Sequence, residues 1–253
     1  MIKLIASDLD GTLLDNNSQL SKENRDAVAE ALAQGITFTL STGRMFQSAA
    51  PFARDLGLGP QQPLICYNGA LIRRLSGEIL YEQPLAPELS QMVVDYGQRR
   101  GWTINAYFQD QLYVSAVNQK ARDYALRSRV SVTAVGDLVH FVEEGKKCLS
   151  KLMIIGEAEE TLGRIEELRS LVGEELQIVR SQPHFVEVTN IQAHKGQALK
   201  WLAESMGLEV REIMAIGDSN NDLTMIQVAG IGVAVGNAGL LLQENADYVT
   251  SSN

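Results

Sequence analysis

The sequence predicts an α/β protein in which a doubly wound, parallel β-sheet domain is interrupted by an inserted α+β domain. In the first and last thirds of the chain, short apolar runs alternate with amphipathic helical segments. That alternation is typical of parallel sheets with crossover helices. In the middle third the segments include paired strands, as expected for a mixed unit with its own core.

The first part of the chain predicts a β-α-β-α-β unit. The run 3–7 is apolar, as in a buried parallel strand. Ser21 stands where a helix N-cap would, apolar residues follow it at helical spacing, and Gly35 closes the helix. The expected elements are parallel strands over 3–7, 36–40 and 63–67, a second helix that reaches about Leu56, and a hairpin over 71–81 that turns at Ser76-Gly77.

The inserted domain is predicted over residues 83–189, and the main domain over 1–82 and 190–253. The insert should contain a helix, a strand pair, two helices, a strand, a helix and a second strand pair. Its first pair, 103–115, should turn near Asp110. From Lys195 the alternation of the main domain returns, with helices over 196–206 and 222–229, strands over 212–216 and 231–235, a short helix, and a last strand over 248–250.

The charge of the chain limits the classes of partner. The formal net charge is −9, which argues against nucleic acid or an anionic membrane as the main partner, because both require a basic surface. An anionic small molecule remains possible, since a lysine and a bound cation can reverse the charge locally. We expect a monomer or a weak homodimer.

The cysteines and apolar runs predict the compartment. Cys66 and Cys148 each lie in an apolar run, and we expect two buried, reduced thiols. The apolar stretch at the start of the sequence is too short for a signal peptide, and no apolar run reaches the ~18 residues of a membrane span. These features predict a soluble cytoplasmic protein.

Two acidic motifs follow predicted strands. DLDGTLL, residues 8–14, places Asp8 and Asp10 at the carboxyl end of the first strand, where doubly wound sheets bind ligands. GDSNND, residues 217–222, brings Asp218, Asn221 and Asp222 to another strand end. Carboxylates gathered at one sheet edge repel one another and need a cation, and oxygen ligands beside a phosphate favour Mg²⁺. Alternatively, each motif is a polar loop that caps a turn or the next helix.

Two further motifs could bind an anion. STGR, residues 41–44, combines a hydroxyl, a glycine and a helix start, and so offers backbone N–H groups and Thr42 Oγ1. Lys195 in HKG opens a predicted helix and is a suitable point charge for phosphate. Taken alone, STGR is also common in turns, and a lysine at a helix start is usually an exposed surface residue. Together, the four motifs contain the groups that phosphoryl transfer requires.

In this order, DLDGTLL, STGR, the lysine of HKG and GDSNND resemble the four motifs of the haloacid dehalogenase superfamily. The insertion resembles the cap of its Cof-type subfamily of sugar and metabolite phosphatases, as do NGA (68–70) and SQPHFVEVT (181–189). The resemblance covers nearly the whole chain. It implies a Rossmann-like core and a Mg²⁺-dependent phosphatase that acts on a small phosphorylated metabolite.

The resemblance also implies roles for individual residues. Asp8 would be the nucleophile that forms an aspartyl-phosphate, and Asp10 the general acid and then the base. Mg²⁺ would be held by Asp8, the Asp10 backbone carbonyl and Asp218, and Asp222 would support the metal or its waters. Arg44 would be a further supporting residue of the site. Phosphate would be bound by Leu9 and the adjacent Asp10 backbone, Thr42, Gly43, Lys195 and Asn221.

The inserted domain is expected to act as a lid that selects the substrate. Its candidate contacts are His184 and Glu187, with Tyr107 and Tyr113 as further candidates, although such residues often serve only packing or the surface. His194, which precedes the lysine, is expected to be a surface residue between two elements rather than a catalytic residue. The chain stops just after the last predicted strand, where relatives usually continue into a helix, so we expect one sheet face to be less covered.

Three other functions remain open. A phosphotransferase or mutase would pass the aspartyl-phosphate to a sugar hydroxyl, and no residue decides against it. A phospho-aspartate signalling receiver would also use Mg²⁺, an aspartate and a lysine, but Asp10 and the insert argue against it. A catalytically silent sugar-phosphate sensor would not need the complete set of Asp8, Asp10, Lys195 and Asp218.

Overall fold

The computed structural model describes residues 1–253 and divides into two compact units. The core unit contains Met1–Glu82 and His194–Asn253, and the inserted unit contains Gln83–Ala193. The chain returns to the core unit a few residues after the boundary expected at Thr189, because the segment that follows the last strand of the insert stays with the insert.

The first part of the core unit has five strands and two helices. Ser21 caps the first helix, since its Oγ accepts a hydrogen bond from the Asn24 backbone N–H at 3.0 Å. The elements in chain order are β1 (Leu4–Ser7), α1 (Lys22–Ala33), β2 (Thr37–Leu40), α2 (Phe46–Asp55), β3 (Pro63–Cys66), β4 (Leu71–Arg74) and β5 (Ile79–Glu82).

The inserted unit has one six-stranded sheet in the order β10-β11-β9-β6-β7-β8. Gln109 and Asp110, both at positive φ, make the tight turn between β6 and β7 that the sequence placed near Asp110. The short strand β8 was not predicted. The elements are α3 (Pro87–Arg99), β6 (Thr103–Phe108), β7 (Gln111–Val114), α4 (Gln119–Ser128), β8 (Val132–Ala134), α5 (Leu138–Glu143), β9 (Lys151–Ile155), α6 (Thr161–Val172), β10 (Leu176–Gln182) and β11 (Phe185–Asn190).

One face of this sheet holds the apolar core of the inserted unit. Alternate residues of the central strands are buried there against α3, α5 and α6, because successive side chains of a strand point to opposite faces. The strand residues on this face are Ile104, Ala106, Leu152, Ile154, Val186 and Val188.

The last part of the core unit restores the α/β alternation. The elements are α7 (Lys195–Ser205), β12 (Ile213–Gly217), α8 (Leu223–Val228), β13 (Ile231–Ala234), α9 (Leu240–Asn245) and β14 (Tyr248–Val249). Five parallel strands form the sheet, in the order β14-β13-β12-β1-β2. This order brings the ends of β1, β2 and β12 side by side, and each of these ends is followed by one of the predicted motifs.

The third strand corrects one expectation. β3 is not a full member of the parallel sheet, which it meets through a single parallel bridge between Ser41 and Ile65. It pairs instead with β4, and β4 with β5, in an antiparallel three-stranded sheet. The hairpin that follows β3 supplies its backbone hydrogen bonds, and local α/β alternation cannot reveal that choice.

The thiols also differ from expectation. Cys66 is buried at the end of β3, but Cys148 is exposed. Cys148 follows two lysines, and it is the next residue, Leu149, that is fully buried. The apolar run around Cys148 therefore places the Leu149 side chain in the core and leaves the Cys148 thiol at the surface. None of the helices is both long and apolar enough to cross a membrane.

Candidate active site

Asp8 lies directly after β1 and is bound by a buried lysine. The Asp8 backbone N–H donates to the Ile216 carbonyl at 2.9 Å, which continues the pairing of β1 with β12. Lys195, the first residue of α7, is fully buried, and its Nζ donates to Asp8 Oδ1 at 2.5 Å and to Asp222 Oδ1 at 2.6 Å. One lysine thus joins the motif after β1 to the motif after β12.

Asp222 closes its own loop. Its Oδ2 accepts hydrogen bonds from the backbone N–H groups of Asp218 at 3.1 Å and Ser219 at 3.0 Å. Gly217 permits this close approach, because a Cβ there would lie 2.5 Å from the Asp222 Cβ. With one oxygen on Lys195 and the other on the loop, the Asp222 carboxylate organises the site.

Three carboxylates gather at this sheet edge. Oxygen atoms of Asp8, Asp218 and Asp222 lie within 4.8 Å of one another. Thr12 Oγ1 donates to Asp218 Oδ1 at 3.0 Å. Gly11 makes the turn beside them at φ +85°, and a Cβ at that position would lie 2.6 Å from Asp218 Oδ2. Glycine is therefore required at this position, both for the backbone conformation and because a side chain would collide with Asp218.

The charges of this cluster are not balanced. Burial raises the pKa of Asp8, the charges of Asp222 and Asp218 raise it further, and Lys195 opposes the shift. Burial and Asp222 also raise the pKa of Asp218. Burial disfavours the charged form of Lys195, but Asp222 and Asp8 outweigh it, so the Lys195 pKa is raised and the lysine is cationic. One ammonium against three carboxylates leaves excess negative charge, and this all-oxygen donor set fits Mg²⁺.

The STGR segment lies beside this cluster. Thr42 is buried, its backbone N–H donates to the Ile65 carbonyl at 2.9 Å, and its Oγ1 accepts from the Arg44 N–H at 3.2 Å. Thr42 can therefore offer an anion its hydroxyl, but its N–H is already used. Helix α2 begins only at Phe46, so Gly43 precedes the helix rather than forming its first turn.

Arg44 binds the carboxylate of Asp10. Its Nε donates to Asp10 Oδ2 at 2.7 Å and its Nη2 to Asp10 Oδ1 at 2.6 Å. The guanidinium also lies over the Phe52 ring, 4.9 Å from its centroid. The Asp10 carboxylate is exposed and lies outside the group of three, so only its backbone carbonyl remains a candidate metal ligand.

Two asparagines connect the loops, and one of them was missed from the sequence. Asn221 Nδ2 donates to Asn68 Oδ1 at 3.0 Å. Asn68 is buried at φ +55° directly after β3, and a Cβ on Gly43 would lie 3.0 Å from its Oδ1. Its motif NGA was noted only as a resemblance. A similar omission is Asn237, whose Nδ2 donates to the Gly11 carbonyl at 2.8 Å.

Leu9 contributes through its backbone, and His194 caps helix α7. The Leu9 side chain is fully buried, and its carbonyl accepts hydrogen bonds from the N–H groups of Leu13 and Leu14, so its backbone N–H is the group that it can offer a ligand. His194 is the N-cap of α7, since its Nδ1 accepts from the Gln197 N–H at 3.1 Å. His194 thus fixes the start of the helix that carries Lys195. It has a structural role as a helix cap, which the sequence analysis did not predict.

The candidates in the inserted unit do not form one group. His184 is exposed at the turn between β10 and β11, with Nδ1 3.1 Å from the Gly156 carbonyl oxygen. Glu187 is buried and pairs with Lys151 at 3.2 Å. Tyr113 packs against Phe141, with 4.5 Å between ring centroids, next to the apolar core. Tyr107 is buried near Lys151, whose Nζ is 4.9 Å from its ring centroid.

Comparison with known proteins gives one consistent family. The family model for haloacid dehalogenase-like hydrolases matches residues 5–253. Two Bacillus subtilis proteins named 5-amino-6-(5-phospho-D-ribitylamino)uracil phosphatase, YcsE and YwtE, are 32% and 30% identical to the whole chain, which spans 91% and 94% of their lengths. The crystal structure of a haloacid dehalogenase-like hydrolase from Bacteroides thetaiotaomicron is 29% identical, with a TM-score of 0.91 over the whole chain and 95% of its own.

Proposed function

Because the chain belongs to the haloacid dehalogenase-like hydrolase family and is a phosphatase, we propose that it hydrolyses a small phosphorylated metabolite with Mg²⁺, through an aspartyl-phosphate on Asp8. The observation that carries this proposal is the buried arrangement of Asp8, Lys195 and Asp222, in which one ammonium bridges two carboxylates beside Asp218. Such an arrangement combines a nucleophile, a fixed positive charge and ligands for a cation.

Asp8 is proposed to attack the phosphorus atom. Its attack divides one difficult hydrolysis into two displacements, in which the phosphoryl group passes first to Asp8 and then to water. Lys195 fixes the orientation of the Asp8 carboxylate and contributes positive charge that reduces its repulsion from a phosphate dianion. The hydrogen bond to Asp222 in turn holds the lysine in place.

The metal would be held by Asp8, Asp218 and the backbone carbonyl of Asp10. When bound, Mg²⁺ neutralises charge on the phosphoryl oxygens. Asp222 supports this set from behind, since its carboxylate binds Lys195 and the backbone of the loop that carries Asp218. The phosphate would also be bound by the Leu9 and Asp10 backbone, the Thr42 hydroxyl, Gly43, Lys195 and Asn221.

Asp10 is proposed as the proton donor and acceptor. It would protonate the leaving oxygen in the first step and remove a proton from water in the second. In the structure both of its oxygens accept hydrogen bonds from Arg44. At least one of those bonds has to be exchanged before Asp10 can hold and deliver a proton, so Arg44 determines the position from which Asp10 acts.

The names of two relatives support a proposal for the substrate class. Two relatives carry names that specify a phosphorylated ribityl compound as substrate. We propose a phosphomonoester of a small metabolite with hydroxyl groups, such as a sugar or polyol phosphate. Recognition of its organic part is proposed to depend on the inserted unit, with Glu187 and His184 as the candidate contacts.

The test is phosphate release from a panel of small phosphorylated metabolites, with Mg²⁺ and with EDTA, beside Asp8→Asn. The panel should contain sugar phosphates, polyol phosphates and the ribitylaminouracil phosphate. Release that requires Mg²⁺ and disappears in the variant supports the proposal. Transfer of phosphate to an added sugar in preference to water would favour a phosphotransferase, and binding without turnover would favour a sensor.

A further inference from the structure

The loop after β13 contacts both of the loops that carry the proposed metal ligands. We call residues 235–239 the β13 loop. Its Val235 N–H donates to the Gly217 carbonyl at 3.1 Å, and its Gly239 N–H donates to the Asp218 carbonyl at 3.1 Å. These backbone bonds join it to the loop after β12, which is the neighbouring strand of the sheet. β13 is not adjacent to β1, and it is a side chain that reaches the loop after β1.

Asn237 supplies that side chain. Its Nδ2 donates to the Gly11 carbonyl at 2.8 Å. Its Oδ1 accepts hydrogen bonds from the Asn253 backbone N–H at 3.0 Å and from Ser252 Oγ at 3.3 Å. A carboxamide donates from one end and accepts at the other, whereas an ionised aspartate only accepts and leucine does neither. Although Asn237 is exposed, both ends of its amide are therefore in use.

The Gly11 carbonyl lies at the turn that contacts Asp218. It belongs to the planar peptide between Gly11 and Thr12, so a hydrogen bond to it fixes the direction in which Thr12 leaves the turn. Thr12 Oγ1 in turn donates to Asp218 Oδ1 at 3.0 Å. On the other side of Gly11 is the carbonyl of Asp10, the proposed backbone ligand of the metal. Glycine has no side chain that could hold such a turn, and the bond from Asn237 restricts its rotation.

Gln243 shows what a purely structural contact with the same loop looks like. Its Nε2 donates to the carbonyls of Gly236 at 3.2 Å and Ala238 at 2.9 Å. Those bonds hold helix α9 to the β13 loop, and neither reaches a loop with a proposed metal ligand. Asn237 differs, because it joins the β13 loop to a segment 226 positions earlier, at the site itself.

We propose that Asn237 is a positioning residue of the Mg²⁺ site, which holds the turn at Gly11 so that the two ligand loops keep their relative placement. Mg²⁺ requires a near-ideal octahedral arrangement of oxygen atoms, so a small displacement of one ligand loop weakens its binding. The β13 loop holds one ligand loop through the Asp218 carbonyl and the other through the Gly11 carbonyl. The inference rests on the proposed function, because it concerns the cation proposed for the same site.

The test is Mg²⁺ binding by the full chain with Asn237→Leu, a change of similar size at an exposed side chain. Isothermal titration calorimetry of the metal-free protein, without substrate, gives the dissociation constant. That constant should increase about fivefold, the factor that one ordinary hydrogen bond contributes. The Mg²⁺ concentration that gives half-maximal phosphate release should increase by a similar factor.

Gln243→Leu is the matched control. It removes an amide that holds the same loop, so it should lower the melting temperature of the metal-free protein but change the Mg²⁺ dissociation constant less than about twofold. Asn237→Ala provides a second variant should leucine disturb the fold. An equal rise of the constant in Gln243→Leu, or an unchanged constant in a folded Asn237 variant, would overturn the proposal.

Calorimetry without substrate separates this inference from the proposed function. Weaker Mg²⁺ binding by Asn237→Leu than by the wild type supports the positioning role even if no compound releases phosphate, in which case the proposed function alone fails. Mg²⁺-dependent phosphate release with the same dissociation constant in both proteins supports the function and overturns the role of Asn237. A wild type without affinity for Mg²⁺ would overturn both.

Discussion

Arg44 binds the Asp10 carboxylate through two hydrogen bonds, from Nε to Oδ2 at 2.7 Å and from Nη2 to Oδ1 at 2.6 Å. This pairing keeps the Asp10 side chain out of the group formed by Asp8, Asp218 and Asp222. The two aspartates of DLD therefore have different partners: the first is bound by Lys195, and the second by Arg44.

Asp10→Asn should separate catalysis from metal binding. We expect turnover to fall roughly 10²–10⁴-fold, the usual contribution of a general acid–base group. The Mg²⁺ concentration needed for half-maximal activity should change little, because the Asp10 carboxylate is not in the carboxylate group. Asp218→Asn is the matched variant and should raise that concentration strongly. A Mg²⁺ titration of phosphate release measures both, and equal Mg²⁺ requirements in the two variants would contradict the assignment.

Lys195→Met should destabilise the metal-free protein. It leaves the carboxylates of Asp8 and Asp222 buried without their counter-ion, and breaking a buried pair from one side costs about 3–5 kcal/mol. Urea unfolding in EDTA measures this change. Lys200→Met on the same helix is the control, because its pair with Glu204 at 3.9 Å is exposed and contributes at most about 0.5 kcal/mol. Similar losses in both variants would show that helix α7, rather than the buried charges, is responsible.

Gly11→Ala should impair both folding and the metal site. Gly11 and Gly35 have similar positive φ angles, +85° and +77°, so alanine costs roughly 1–2 kcal/mol of backbone strain at either position. Only at Gly11 does the added Cβ meet Asp218 Oδ2, at 2.6 Å, whereas nothing lies within 4 Å at Gly35. Both variants should lose thermal stability, but only Gly11→Ala should lose the stabilisation that Mg²⁺ gives. A melting scan with and without Mg²⁺ decides, and an unchanged Mg²⁺ shift in Gly11→Ala would refute the predicted crowding.

His194 should make stability depend on pH. Burial lowers its pKa from the ordinary value of 6.5, and its Nδ1 must be unprotonated to accept from the Gln197 N–H. A histidine whose pKa is lower in the folded state contributes fully above the unfolded pKa, and that contribution is lost as the pH falls through the unfolded and then the folded value. The wild type should therefore lose stability relative to His194→Asn, which keeps a capping acceptor, as the pH falls below the unfolded value of about 6.5. Parallel curves of unfolding free energy against pH would rule this out.

Local patterns predicted the elements that place the motifs. The capped start of α1 at Ser21, the apolar strand before Asp8, and the turn at Asp110 each depend on a few neighbouring residues, and the structure has them where they were expected. The gathering of Asp8, Asp218 and Asp222 also follows from the rule that parallel strands end at one sheet edge.

Other features depend on tertiary contacts that no local pattern contains. Whether β3 pairs with the parallel sheet or with β4 is a competition between two partners for the same backbone groups. Asn68 becomes part of the site only because Asn221, which is 153 positions away, donates to it.

The central claim is that phosphate passes through Asp8, and the most direct measurement is covalent trapping in Asp10→Asn. p-Nitrophenolate leaves without a general acid, so this variant should still phosphorylate Asp8 with Mg²⁺ and then stall, because it lacks the base for hydrolysis. Acid quenching and mass spectrometry should find one phosphoryl group on the peptide that contains Asp8, and none when Asp8→Asn is added. A protein that releases p-nitrophenolate in a full burst without any phosphorylated peptide, or with the phosphoryl group on another residue, would contradict the account.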